Sequence, residues 1–169
     1  RSDTDIDIAS VDAHHEVAPG VSVFVGTVEV TSQVVGYQRK VASTRQVIET
    51  VPLDLPPRVL TTRSCWYTID PEAVARGQIA PSEILGAVHA AEHALIGLLP
   101  LFAICDRWDV GGLSMASHPQ TEVPTIFVYD GYPGGAGIAD LAYDAHRRHL
   151  RETRALVRDC GGKIVASTA

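Results

Sequence analysis

The segment VHAAEHALIGLLPLFAICDRWDVGG, residues 88 to 112, constrains the fold of this chain more than any other. Ser82-Glu83 opens a helix whose apolar residues Ile84, Leu85, Val88, Leu95, Ile96, Leu98 and Leu99 surround nearly its whole circumference. A helix of that kind belongs in the middle of a domain. Into it the sequence sets His89, Glu92 and His93, which share one side because residues three and four apart are neighbours on a helix surface. Pro100 predicts a kink or a restart ending near Cys105, followed by an acidic turn holding Asp106 and Asp109. Ionisable groups gathered in an apolar helix need partners. The turn and His118 beyond it are the places from which partners, or a metal ion shared with the helix, can fold back.

The rest of the chain is read around this helix. Residues 1–19 are polar, with four aspartates and the adjacent His14 and His15, and are expected to be a linker with little structure of its own. Residues 21–30 and 34–41 are rich in β-branched side chains, residues 46–51 supply a third segment of the same style, and Pro52, Pro56 and Pro57 force an extended connection to a strand over 59–68. Asp70-Pro71-Glu72 is a helix start, an Asp cap followed by Pro at the first helical position, with the helix reaching about Arg76. Gly111-Gly112 marks a turn, residues 123–129 form a compact buried strand, and a single long helix over 138–159 closes the domain. The expected class is therefore α+β: N-terminal antiparallel strands packed on a buried central helix, one further strand and a long C-terminal helix.

Three motifs carry candidate chemistry. His89-Ala90-Ala91-Glu92-His93 matches H-x-x-E-H, the inverted zinc-peptidase signature, in which two histidines hold zinc and the glutamate activates a bound water. A third ligand stands in no recognisable second motif, so a zinc hydrolase is the alternative reading. A polar network satisfied inside the core, or a metal cluster over His89, Glu92, His93, Cys105, Asp106, Asp109 and His118, also fits the pattern. Gly134, Gly135 and Gly137 lie between a strand and a helix, where a phosphate can be held, although neither a P-loop nor a dinucleotide fingerprint is present. A tight turn with positive φ is the simpler account of those glycines. Arg147, Arg148, Arg151, Arg154 and Arg158 recur at helical spacing, either as a solvated face paired with Asp144 and Glu152 or as contacts to nucleic-acid phosphates.

Composition narrows the classes. With 20 acidic against 14 basic residues the formal charge is −6, which argues against a freestanding nucleic-acid binder. Three scattered cysteines, Cys65, Cys105 and Cys160, give no disulfide framework and point to a reducing, cytoplasmic compartment. The longest apolar run, residues 94–105, spans twelve residues and contains Pro100, so no membrane partner is expected. The first residue is Arg1 and the last four are small and polar, from which a piece of a longer chain is expected, with 161–169 a truncated tail.

Taken together, the segments VEVTSQVVGYQRK, VPLDLPP, HAAEHALIGLLPLFAICDRWDVGGLS and PTIFVYDGYPGGAGIAD resemble the C-terminal accessory domain of bacterial MrfA-like superfamily 2 DEAD/DEAH-box DNA-repair helicases, the MrfA zinc-binding type, over residues 20–160. The resemblance implies a domain without catalytic residues of its own. It would pack on upstream helicase motor domains of the same chain and help to position single-stranded DNA during 3′-to-5′ unwinding. ATP binding would belong to the motor. The family also closes with a cysteine cluster holding zinc after the last helix. Cys160 matches where that cluster begins but no further cysteine follows, so Cys160 is expected to be the remnant of an incomplete site, with no cofactor in this stretch and zinc only in the full-length protein.

Overall fold

The computed structural model describes residues 2–159. Its centre is a five-stranded antiparallel sheet in the order β1-β2-β5-β7-β6, formed by β1 (Ser2–Ala18), β2 (Val21–Val34), β5 (Arg58–Ile69), β6 (Val110–Met115) and β7 (Thr125–Asp130). A separate two-stranded ribbon, β3 (Gly36–Lys40) and β4 (Val47–Pro52), projects from the β2–β5 connection. Four α-helices follow the strands or interrupt them: α1 (Pro71–Arg76), α2 (Ile84–Leu98), α3 (Ile138–Asp144) and α4 (His146–Asp159). The class is α+β, as the sequence implies.

Alternation along the central strands divides the core in two. Cys65, Tyr67, Ile126 and Val128 face one side and meet Val88 and Leu95 from α2, Leu99 just beyond it, and Ile138, Ala139 and Ala142 from α3. Their strand neighbours Trp66 and Phe127 face the other side, where they join Ile6, Val28 and Val30. Across adjacent strands Phe24 stacks on Trp66 at a centroid separation of 5.6 Å, and Phe127 meets Trp66 tilted at 5.8 Å.

Four expectations need correction. Residues 2–18 are not a linker but the long edge strand β1, hydrogen-bonded along β2 with only Ile6 buried. Its alternating aspartates suit an edge that must not recruit another strand. Gly111-Gly112 is not a turn but part of β6, where a Cβ on Gly111 would strike the Tyr129 ring and one on Gly112 would sit 2.6 Å from Glu92 Oε1. The single C-terminal helix is two, α3 and α4, separated at Ala145 where the backbone leaves helical values. Finally, α2 is buried on one side only. Val88, Glu92, Ala94 and Leu95 are inside, whereas Leu85 is 56% exposed.

The helical run Pro81–Leu101 has the length and apolarity of a membrane span by composition. In this fold it packs against β6, β7 and α4, and it carries a buried carboxylate. Pro100 acts as expected, with residues 99–101 tightening into a 3₁₀ turn.

Candidate functional site

The H-x-x-E-H residues are brought together by α2, and a fourth residue joins them from the sheet. Glu92 points inward and is buried, accepting from Ser114 Oγ at 2.5 Å and lying 3.3 Å from His89 Nδ1. The carboxylate accepts only, so the His89 Nδ1–H is the donor and its Nε2 carries the lone pair. That Nε2 is 3.1 Å from His93 Nε2, with the two rings edge to face. Both rings sit at the surface, the His89 side chain 59% exposed. Ser114 lies in β6 two residues beyond Gly112, whose missing side chain admits the glutamate. The signal for Ser114 in the sequence is the strand that carries it, in which Gly112 and Ser114 share one face.

This geometry does not serve a hydrolase. The general-base role needs a glutamate facing the water on the metal, whereas Glu92 sits behind His89 against the sheet. The wider cluster does not assemble either. His118 is buried against Phe127, which faces the side of the sheet away from α2, and its Nε2–H donates to Ile6 O at 2.8 Å. Asp106 and Asp109 close their own turn, accepting from the amides of Trp108 and Asp106 at 2.7 and 2.8 Å, while Tyr132 OH donates to Asp109. These bonds hold the Asp109 carboxyl below the usual range. Burial and the nearby aspartates raise the Cys105 thiol above its ordinary value.

The glycine loop is organised around Asp130, a residue that no sequence motif marks. Asp130 is fully buried at the end of β7 and accepts from the amides of Ala136, Ile138 and Ala139 at 2.6, 3.3 and 2.8 Å. A carboxylate of the chain thus occupies the helix N-terminus that the sequence offers to a phosphate. Gly134, Gly135 and Gly137 all have positive φ, and Gly135 leaves room for the stem of Arg63. The Gly134 and Gly135 amides are taken by Thr61 O and Tyr132 O. Arg63 ties the edge strand to the loop region through Asp12 at 2.5 Å and Asp140 at 2.7 Å.

On α4, His149 and Thr153 face inward while Arg147, Arg148, Arg151 and Arg154 face solvent. Arg148 lies over the Phe102 ring at 5.4 Å. The pairing with Asp144 and Glu152 does not form, because among the described residues no ion pair includes an α4 arginine. Arg147, Arg151 and Arg154 therefore present one row of charge, spaced at four and three residues. In the segment that follows α2, Leu101, Ile104 and Trp108 are each exposed, at 59%, 107% and 87%. The two tryptophans differ completely, since Trp66 is in the core.

An all-antiparallel sheet with helices on one face and exposed basic and apolar side chains defines an α+β domain, not a parallel-sheet α/β one. The sequence profile of the MrfA Zn-binding domain matches residues 91–164. The ATP-dependent helicase YprA of Bacillus subtilis is 28% identical over 82% of this chain and 18% of its own length. An uncharacterized protein of Methanocaldococcus jannaschii is 30% identical over 43% of this chain and 68% of its own. The crystal structure of the DUF1998 helicase MrfA bound to DNA superimposes with a TM-score of 0.75 and 25% identity, over 95% of this chain and 21% of that one. The chain belongs to the MrfA Zn-binding domain family. It spans about a fifth of the length of YprA and of the MrfA structure.

The family name implies zinc, and the described residues do not fit a cysteine site for it. No group of three or more His, Cys, Asp or Glu able to hold a metal occurs among them. Cys65 is sealed in the sheet between Val25 and Val128, where burial holds its thiol far above the ordinary value. Cys160 lies outside the described residues.

Proposed function

We propose that this chain is the non-catalytic accessory domain of an ATP-dependent DNA helicase, docking on motor domains of the same polypeptide and steadying single-stranded DNA during 3′-to-5′ unwinding. The observation that carries the reading is the unpaired row of Arg147, Arg151 and Arg154 on a chain whose formal charge is −6. An acidic protein that leaves a basic row free of its own carboxylates has a use for it, and phosphate is the matching chemistry. The exposed Leu101, Ile104 and Trp108 serve docking toward the motor. The glycine loop takes no part, because Asp130 already holds its amides. A DNA-repair setting and a DEAD/DEAH-box motor, both implied by the resemblance of the sequence to that helicase family, and a cytoplasmic location, suggested by its scattered cysteines, complete the proposal.

The test is binding of a fluorescent oligonucleotide by anisotropy across a salt series. Replacing Arg147, Arg151 and Arg154 by alanine should lower the slope of log K against log salt by about 2, at roughly 0.7 per phosphate contact on a single strand. An unchanged slope refutes the phosphate row. ATP hydrolysis by this chain alone would refute the non-catalytic assignment.

A further inference from the structure

The histidine pair on α2 is not absorbed by the accessory role, and its geometry is that of half a metal site. Two imidazole nitrogens bound to one ion at about 2.0–2.1 Å stand roughly 2.9 Å apart at a right angle and roughly 3.3 Å apart in a tetrahedron. His89 Nε2 and His93 Nε2 are 3.1 Å apart, within that interval. Behind His89 stands the support such sites use. The buried Glu92 carboxylate takes the Nδ1–H and is itself fixed by Ser114, so the ring orientation is set and the outward Nε2 is the one without a proton.

We infer that His89 and His93 form a surface site for a divalent transition-metal ion, with Glu92 and Ser114 orienting the first ligand from within the domain and water completing the coordination. Without metal, His93 Nε2–H donates to His89 Nε2. On binding, that proton leaves Nε2 to water and Nδ1 of the same ring takes one up, so both rings stay neutral and the net proton count is unchanged. The site is separate from the family's cysteine zinc, since it uses no thiol. It is also independent of DNA contact.

Two measurements on the 169-residue chain test this. Calorimetric titration with Ni²⁺ after chelator treatment should give one ion per chain. Electron paramagnetic resonance of a Cu²⁺ complex, in a Cys160→Ser background that removes thiol reduction at that position, should show two coordinated nitrogens. His89→Ala and His93→Ala should each abolish the two-nitrogen signal. Glu92→Gln should weaken affinity roughly 10- to 100-fold while keeping it, and Ser114→Ala, a milder change at the same support, should weaken it less. The competing pair is the exposed His15 and the half-buried His146, whose rings lie 5.3 Å apart. The inference is overturned if His15→Ala with His146→Ala removes the signal, if the α2 variants keep it, or if no ion binds.

Discussion

Replacing Asp130 should damage this domain more than any exposed charge, and the loss can be worked from its contacts. The carboxylate is fully buried and accepts three backbone amides, Ala136 and Ile138 on Oδ2 and Ala139 on Oδ1. Each buried donor left without a partner costs about 1–3 kcal/mol. Asp130→Asn keeps the shape and one acceptor oxygen but turns an NH₂ toward the remaining amide, so about 1–3 kcal/mol should be lost. Asp130→Ala strands all three donors, and with partial rescue by entering water about 3–6 kcal/mol is expected. For a domain of this size these correspond to falls in Tm of roughly 2–12 °C for Asp130→Asn and roughly 6–24 °C for Asp130→Ala. Urea unfolding followed by circular dichroism measures both, with an unchanged m-value showing that native-state stability is what moved. The orphaned amides of Asp130→Ala also form an empty anion site, so sulfate should raise its Tm more than it raises that of the parent. A loss below about 1 kcal/mol in Asp130→Ala, or equal sulfate effects in the two proteins, would refute the view that the glycine loop is built around this carboxylate.

Further outcomes follow from the same contacts. His149 donates from Nε2 to Leu95 O while its Nδ1 is buried without a partner, and burial pushes its pKa below the ordinary value near 6.5. The unfolded chain therefore binds the proton first. The contribution to stability is full above about pH 6.5 and is lost as pH falls from there toward the folded pKa, so His149→Phe should flatten the decline of Tm between pH 7.5 and 5 relative to the parent. An identical decline in both proteins would count against it. Trp66→Ala, which empties a site between Phe24 and Phe127, should cost about 3–5 kcal/mol in denaturant unfolding. Arg63→Met should cost only about 1–2 kcal/mol, because Asp12 and Asp140 are both partly exposed and regain water.

What could be read from the sequence follows from which force sets each element. The α1 cap is local chemistry, and Asp70 accepts from the Ala73 amide as its Asp-Pro-Glu context implies. β5 and β7 are written in their β-branched and aromatic runs because both faces of the sheet are covered there. β1 is different, since the β2 backbone holds it while most of its side chains meet water, and hydrophobic periodicity carries no record of that. The α3–α4 break at Ala145 has neither glycine nor proline to announce it. It is made by His149 and Leu150 turning into the α2 face. The apolar circumference of α2 overstated its burial for an instructive reason: the segment serves both a core and an outer surface, and composition alone cannot divide the two.

The α2 motif shows the same division at the level of one site. Helical spacing places His89, Glu92 and His93 on one side, and the structure agrees. Which of them faces the sheet depends on β6, because Gly112 clears the space that Glu92 enters and Ser114 supplies its donor. A glutamate drawn inward stops being a general base and becomes the orienting partner of a histidine. The five-residue signature therefore carries its chemistry only together with the strand it packs on, twenty residues downstream in sequence. A methyl group at Gly112 makes the dependence measurable. Gly112→Ala should displace Glu92 from Ser114, free the His89 ring and weaken Ni²⁺ binding by about the same factor as Glu92→Gln, without removing either ligand. If Gly112→Ala folds and binds Ni²⁺ as tightly as the parent, the glycine is not what orients the site.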